Sequence, residues 1–434
     1  MAKRTARDIR RNHRQEVLRQ VIAASPVSRR ELARATGLSV ATVANLVGEL
    51  QERGMLAEVG FEDSAGGRPR GLLAVKADGG ALIGVDVAEA YVHAELFDLE
   101  LTVKARNERK LAPGETRPQD IAQHVAAGVR AVLREARIAS SRVLGVGVSV
   151  PGQVERVSGR SVSAPNWGWR DVPLRDLLLE QLDFPLYLDN PLKAYAVAEL
   201  WFGAARGCDD AVMVVLGTGV GAGIAVGGAL YRGATNGAGE WGHTTLVIDG
   251  RPCHCGARGC LEAYVGAPGI VQTMREIEPD SPMILADQAS SLDALARGLA
   301  VGDAVAAETL RRTAHHLGAG VGNLINLLNP QIVVLGGWAA ASLGPALLDA
   351  VRDGAREHAL AHLLAGTEIV PSPIVSNPVS LGAATLALEG ALDHPAAAAA
   401  PGSPARPSPP NEPSEPRPHG RRILATTSSN SLTK

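Results

Sequence analysis

The sequence predicts an α/β body, preceded by a small winged helical domain and followed by a tail that does not fold. Three observations predict this. From residue 79 to 390, apolar strands alternate with helical stretches, and glycine-rich turns follow the strands. Residues 1–78 carry three short helical periods and then two strands. From 391 to 434 the chain is rich in Pro, Ala and Ser and holds nine of the 27 prolines, so it lacks the apolar surface needed to order itself.

Composition sets the outer limits. At 434 residues the chain is long enough for two or three domains, and its 46% apolar and 20% charged residues are ordinary for a globular protein. Aromatics are only 3%, so the cores should be aliphatic. No apolar run approaches the roughly 20 residues that span a bilayer, which excludes a helical membrane protein. The basic N-terminus leads into "NHRQEVLRQV" and not an apolar stretch, so no signal peptide is expected. Four cysteines without an export signal point to a reducing, cytoplasmic setting and against a disulfide scaffold.

The net charge of −2 is unevenly spread: residues 1–75 hold 13 Lys/Arg against eight acids, or +5, which leaves −7 for the rest. Charge alone fits a solvated face as well as a polyanion partner. Pattern favours the polyanion. "NHRQEVLRQVIAAS" places Val17, Leu18, Val21 and Ile22 at helical spacing. Ser28 and Glu31 form a capping box for the next helix, and Gly37 suits the left-handed residue that ends it. Ser39 caps a third helix whose Val43, Leu46, Val47 and Leu50 face inward. Val40, Ala41, Thr42 and Asn45 then lie on its outward first turns, where a recognition helix meets base edges; Ser39, Ala41, Thr42 and Asn45 are the candidate contacts. The strands "MLAEVG" and "GLLAV" flank "FEDSAGGRPR", a wing whose Arg68 and Arg70 could lie on phosphates or in the minor groove. A winged helix-turn-helix that binds double-stranded DNA is expected, over a helical protein-interaction module.

The body begins with the strands of "ALIGVDVAEAYVHAELFDLE" and the helix "DIAQHVAAGVRAVLREA". "RVLGVGVSVPGQV" is a further strand, and "DAVMVVLGTGVGAGIAVGGALY" is a hairpin around a glycine-rich turn. By itself "LGTGVGAG" is a weak signal, because such turns cradle phosphates and also merely reverse strands.

"GATNGAGEWGHTTLVIDGRPCHCGARGCLE" resembles, nearly position for position, the signature of the ROK family of repressors, open reading frames and sugar kinases. "PNWGWRDVPL" and "LINLLNPQIVVLGG" extend the resemblance over roughly residues 80–390. It implies an actin-like (RNase H-like) body of two lobes with a sugar in the cleft between them. Asn166, Asn190, Glu240, His243 and Glu262 match the family's sugar-contacting positions. The N-terminal domain and its "GGRPR" resemble the family's repressor branch, which includes xylose and N-acetylglucosamine repressors.

Three of the four cysteines lie in "CHCGARGC", ten residues after His243. Redox chemistry, a catalytic metal and a structural clamp are each compatible with concentrated thiols. With the resemblance in hand, Cys253, Cys255, Cys260 and His243 read as a filled tetrahedral set for structural zinc, with no open position for water. His254, flanked by cysteines, is the second choice, and Cys208 reads as a small core residue. His243 could bind metal through one nitrogen and a sugar hydroxyl through the other.

Where the family's kinases carry a catalytic Asp in an Asn-Asp-Ala-Asn stretch, this chain has Asn190-Pro191-Leu192-Lys193. Proline cannot take a proton, and loss of a general base costs roughly 10²–10⁴-fold. The first phosphate loop keeps Asp86 but has Ala88, Glu89 and Ala90 in place of its glycines and threonine; only Gly217 to Gly223 is retained. A non-enzymatic, sequence-specific DNA-binding regulator of carbohydrate genes, a repressor controlled by a sugar or sugar derivative, is therefore expected, with an ATP-dependent sugar kinase bearing a DNA-binding extension as the alternative. Lys193 reads either as a contact for an anionic effector such as a sugar phosphate, or, preferably, as a solvent-facing side chain on its helix. One winged helix covers one half-site, so a homo-oligomer, dimer or tetramer, is expected.

Overall fold

The computed structural model describes residues 5–62, 70–375 and 377–393. The first domain consists of α1 (Ala6–Ala24), β1 (Val27–Ser28), α2 (Arg29–Thr36), α3 (Val40–Glu52), β2 (Leu56–Phe61) and β3 (Gly71–Val75). Its caps form as the sequence predicts. The Ser28 backbone N–H donates to Glu31 Oε2 at 2.9 Å, and the Glu31 N–H reaches back to Ser28 Oγ at 3.5 Å. Gly37 ends α2 at φ 68°, and the Thr42 N–H donates to Ser39 Oγ at 3.1 Å. Val43, Leu46, Val47 and Leu50 are buried. β3 pairs antiparallel with β1 and β2. The wing tip, including Arg68, lies outside the described residues.

The body follows as two sheets of one design. The first contains β4 (Ala81–Val87), β5 (Tyr91–Phe97), β6 (Val103–Lys110), β7 (Val143–Ser149) and β11 (Leu186–Asp189), with α4 (Pro118–Ala136) between β6 and β7. A small sheet, β8 (Gln153–Glu155), β9 (Arg160–Ala164) and β10 (Trp169–Val172), and then α5 (Leu174–Leu179) precede β11; α6 (Pro191–Phe202) follows it. The second large sheet contains β12 (Ala211–Leu216), β13 (Val220–Val226), β14 (Ala229–Leu230), β15 (Ile332–Gly336) and β16 (Glu368–Pro371). Between β14 and β15 come α7 (Glu262–Val265), α8 (Ala267–Ile277), α9 (Gln288–Ala300) and α10 (Ala304–Leu328). α11 (Trp338–His358) and α12 (Ala361–Leu364) precede β16, and α13 (Pro378–Asp393) closes the described chain.

The strand orders are β11-β7-β4-β5-β6 and β14-β13-β12-β15-β16. In each, an antiparallel three-strand meander supplies its first strand as the partner of a parallel pair. This repeated 3-2-1-4-5 order is the two-lobed, actin-like architecture, with helices covering the sheets. No helix among the described residues is long and apolar enough to cross a membrane.

The first domain is not a loose appendage. Val17, Leu18, Val21, Leu46 and Leu50 share one apolar cluster with Tyr195 and Trp201 of α6 and Leu386 and Leu388 of α13. Each such side chain contributes roughly 1.5–3 kcal/mol when fully buried. Polar contacts add to this: Arg14 donates to the Leu392 carbonyl, and Arg53 Nη1 donates to the carbonyls of Ala391 and Leu392 at 3.3 and 3.1 Å. Two arginines thus cap the last turn of α13, where unsatisfied carbonyls and the helix dipole favour cations.

Candidate functional site

The segment between β14 and α7 is held mainly by backbone turns, and it gathers the chemistry. Within it Cys253 Sγ lies 3.7 Å from His243 Nδ1, and Cys255 Sγ lies 3.7 Å from Cys260 Sγ. One ligand atom from each of the four residues falls within 4.8 Å of the others. Cys253 and Cys260 are buried, His243 is half-buried and Cys255 is exposed. Burial pushes the Cys253 thiol up to about 12 and raises Cys260 as well. Cys255 goes the other way: against desolvation, the Ala257 N–H and the neighbouring thiols lower it. Two thiols that resist ionisation and one that favours it, converging with an imidazole, are a donor set that a soft or borderline cation would stabilise as thiolates. The residues fit a metal ion.

Glu262 sits directly against this cluster. Its Oε1 lies 3.6 Å from Cys253 Sγ, 3.8 Å from His243 Nδ1 and 3.1 Å from His254 Nε2. Its Oε2 accepts the Val220 N–H at 2.8 Å. That bond also occupies one amide of the glycine-rich loop, so the loop, the carboxylate and the cysteine-histidine segment form one structure.

The second group surrounds the start of α6. Asn190 is buried, and its Oδ1 caps the helix by accepting the Lys193 N–H at 2.9 Å. Pro191 occupies the first helical position, where a missing N–H costs nothing. Asp189 is buried beside them and heavily engaged. It accepts from Arg232, from Asn236 Nδ2 at 3.0 Å and from the Asn190 N–H at 3.0 Å, with Arg156 Nε at 3.9 Å. Asn236 also donates to the Val154 carbonyl at 3.0 Å, and Gln153 Nε2 donates to the Thr235 carbonyl at 3.2 Å. These bonds tie the segment after β14 to β8. Sequence reasoning missed Arg156, Arg232 and Asn236; the only signal was that Asn236 lies within the recognised stretch and Arg232 immediately precedes it.

Lys193 corrects the expectation of a solvent-facing side chain. It is fully buried, and its Nζ donates to the Ala238 carbonyl at 2.6 Å. Desolvation lowers its pKa, against the carboxylates of Glu240 and Asp189, which raise it. The cause is α6 itself, which is buried on every face from Lys193 to Trp201 and leaves a lysine no route to water.

The remaining cleft residues are placed differently. Glu240 is exposed, two residues after Ala238. Asn166 is exposed and donates to Glu89 Oε1 at 2.6 Å. Asp86 is buried, with its Oδ2 taken by Tyr91 Oη at 3.2 Å and Asn377 Nδ2 at 3.1 Å; desolvation raises its pKa. The structure thus joins His243 to Glu262 and Asn190 to Lys193, and gives Asn166 a partner of its own.

On α3, Ser39, Val40, Ala41, Ala44 and Asn45 are exposed and Thr42 is half-buried. Ser39 Oγ lies 2.8 Å from Thr42 Oγ1, so both hydroxyls serve the cap. Ala44 is an outward position absent from the sequence reading. Arg70 is exposed and paired with Glu62 at 3.1 Å. Much of the domain's basic charge is spent internally: Arg10 and Arg14 meet Glu49, and Arg29 meets Glu58 at 2.8 Å. Arg30 and Arg34 are exposed on α2 and make no salt bridge among the described residues.

A family model described as ROK family matches residues 82–390. The chain belongs to the ROK family. A second model, described as winged helix-turn-helix DNA-binding, matches residues 10–56. Among ROK-type relatives, a putative xylose repressor of Caldicellulosiruptor sp. is 32% identical over 77% of this chain and 85% of its own length. A solved ROK family transcriptional regulator, described as a homologue of the Escherichia coli MLC protein, superposes with a TM-score of 0.74. It covers 89% of this chain and 97% of its own at 23% identity, and so bears on the fold. A ROK family glucokinase from Streptomyces griseus, solved with glucose and AMPPNP, matches 72% of this chain and 100% of its own, at 27% identity and a TM-score of 0.60.

Proposed function

We propose that this protein is a DNA-binding transcriptional repressor of carbohydrate genes that responds to a sugar or sugar derivative in the cleft of its ROK body. The observation that carries this reading is the shared core and double arginine cap that join the winged helix-turn-helix to α6 and α13. Asn190 caps the start of α6, so a ligand that moves this end of the cleft acts on elements that hold the DNA-reading helices. A ligand shifts such an equilibrium only through its differential affinity for two states. Asn190, Glu240, His243, Glu262 and Asn166 are the proposed sugar contacts, and Asn166 would exchange Glu89 for the ligand. Ser39, Ala41, Thr42, Asn45, Arg68 and Arg70 are the proposed DNA contacts, with Asn45 the side chain among them whose amide is free to read a base edge. The protein would act in the cytoplasm as a homodimer or tetramer on paired half-sites.

Zinc is the proposed ion for His243, Cys253, Cys255 and Cys260. Four protein donors leave it no vacant position, so its part is to hold Glu262 and the glycine-rich loop in register. Phosphoryl transfer is not part of the reading. Pro191 offers no base, Asp189 is committed to Arg232 and Asn236, and Asp86 is committed to Tyr91 and Asn377.

The test is a gel shift of the full chain on DNA upstream of neighbouring sugar-utilisation genes, with and without monosaccharides, beside an ATP-consumption assay. Sequence-specific retardation that one sugar relieves, without ATP turnover, is expected. Steady sugar-dependent ATP consumption, or no preference for any duplex over bulk DNA, would overturn the reading.

A further inference from the structure

The long helices α10 and α11 approach each other through glycine. A methyl group on Gly318 would stand 2.6 Å from Gly354 Cα, and one on Gly322 would stand 2.8 Å from His358 Cβ. His315, Gly318, Gly322 and Asn326 recur at spacings of three and four, so they share one face of α10. At the end of that face Asn326 grips the backbone where α11 stops. Its Nδ2 donates to the His358 carbonyl at 3.0 Å, and its Oδ1 accepts the Leu360 N–H at 2.8 Å.

This close contact brings metal-ligating side chains from two helices to one place. His315 of α10, and Glu357 and His358 of α11, each offer one ligand atom, and these atoms lie within 4.8 Å of one another. The two imidazole rings are 5.7 Å apart at 65°. All three residues are exposed, so an ion reaches them directly from water.

Ordinary partners do not account for the cluster. Among the described residues, no hydrogen bond or ion pair engages the side chains of His315, Glu357 or His358. The nearby arginines are taken: Arg311 and Arg312 donate through Nε to Glu308 at 2.6 and 2.7 Å, and Arg356 meets Asp353. The adjacent His316 points elsewhere, because consecutive residues of a helix face different ways. Its Nδ1 donates to the Arg312 carbonyl at 2.8 Å and its ring stacks on Tyr264 at 4.5 Å. Glu357 and His358 are also the last two residues of α11, the end at which a helix dipole favours a cation.

We infer that His315, Glu357 and His358 form a metal site, distinct from the cysteine cluster, for a divalent first-row transition ion. Two imidazoles and one carboxylate suit nickel, copper or zinc, whereas magnesium and calcium prefer oxygen alone. Three protein donors leave the remaining positions to water. Both helices are fixed by their own packing, so the donors are gathered before any ion arrives. The site needs neither the regulator reading nor zinc at the cysteines.

Nickel(II) is the probe, because its mass separates it from zinc. It is titrated into the full chain by calorimetry, and native mass spectrometry counts the ions bound. One nickel per chain is expected to bind saturably and to raise the melting temperature. His315→Ala and His358→Ala should each weaken binding by at least about tenfold, and Glu357→Gln should weaken it too. His362→Ala removes an exposed histidine outside the cluster, and Cys255→Ser removes an exposed thiol of the other one; both should leave nickel binding unchanged. The two histidine variants change different helices at exposed positions, and melting temperatures without nickel check that both fold. The inference falls if nickel does not bind, or if binding survives both histidine substitutions. It falls also if His362→Ala or Cys255→Ser abolishes binding.

Discussion

Replacing Lys193 by methionine should make this protein more stable near neutral pH, and the advantage should shrink as pH rises. Lys193 is 0% exposed, and its Nζ has one neutral acceptor, the Ala238 carbonyl at 2.6 Å. A hydrogen bond from a charged donor contributes about 1.5–3 kcal/mol. Removing an ammonium from water costs several kcal/mol even after relaxation. The two carboxylates that favour the ammonium offset little of that cost, because Glu240 is exposed and screened by water, and Asp189 is already held by Arg232 and Asn236. The desolvation cost is the larger quantity, so Lys193→Met, similar in length and apolar, should gain about 1–2 kcal/mol at pH 7. Desolvation sets the folded pKa below the 10.5 of an exposed lysine. Between those two values the unfolded chain binds more protons than the folded one. Wild-type stability attributable to Lys193 therefore climbs with pH through that window, by up to about 1.4 kcal/mol per unit. The variant lacks this dependence. Urea unfolding at pH 7 and pH 9.5, followed through the first transition, measures both effects. A variant less stable than wild type at pH 7, or a difference constant between the two pH values, would refute the reasoning.

Two further outcomes are expected. Asn45→Ala should weaken specific operator binding by about 1–3 kcal/mol while leaving affinity for bulk duplex unchanged, read from competition gel shifts. An equal loss on both kinds of DNA would reassign Asn45 to the phosphates. Cys260→Ser removes a buried donor from the four-residue cluster, and native mass spectrometry should then find less than one zinc per chain, with a lower melting temperature than wild type. Full zinc occupancy in that variant would dismiss Cys260 as a ligand.

The first domain was largely legible because its determinants are local. Ser28 and Glu31 are three residues apart, Ser39 stands before its helix, and the apolar residues of α3 recur at helical spacing. The cysteine cluster was legible for the same reason, since its thiols lie within eight residues. What the sequence hid depends on partners distant along the chain. Lys193 looks like any helical lysine until α13 and the loop of Ala238 close around α6. The Asp189 network draws on Arg156, Arg232 and Asn236, and no periodicity relates those positions. The arginines of the first domain were correctly counted as basic, yet several are matched within the fold, to Glu49, to Glu58 and to the end of α13. Net charge cannot distinguish an arginine facing phosphate from one facing a carbonyl.

That last distinction bears on how a sugar site and a DNA site communicate. An arginine aimed at DNA contributes to affinity in every state of the body. Arg14 and Arg53, aimed at the Leu392 carbonyl, contribute only while α13 sits where they can reach it. Charged hydrogen bonds of this kind are worth about 1.5–3 kcal/mol each when well formed, and allosteric couplings are typically about 1–3 kcal/mol. Making or breaking the α13 contacts therefore has the magnitude that regulation needs, with no rearrangement of the helix-turn-helix itself. α6 and α13 lie in the same apolar cluster as the DNA-reading helices, and close packing of that kind passes displacements on instead of absorbing them. The end of α13 is where a signal from the cleft would most directly change the grip on DNA.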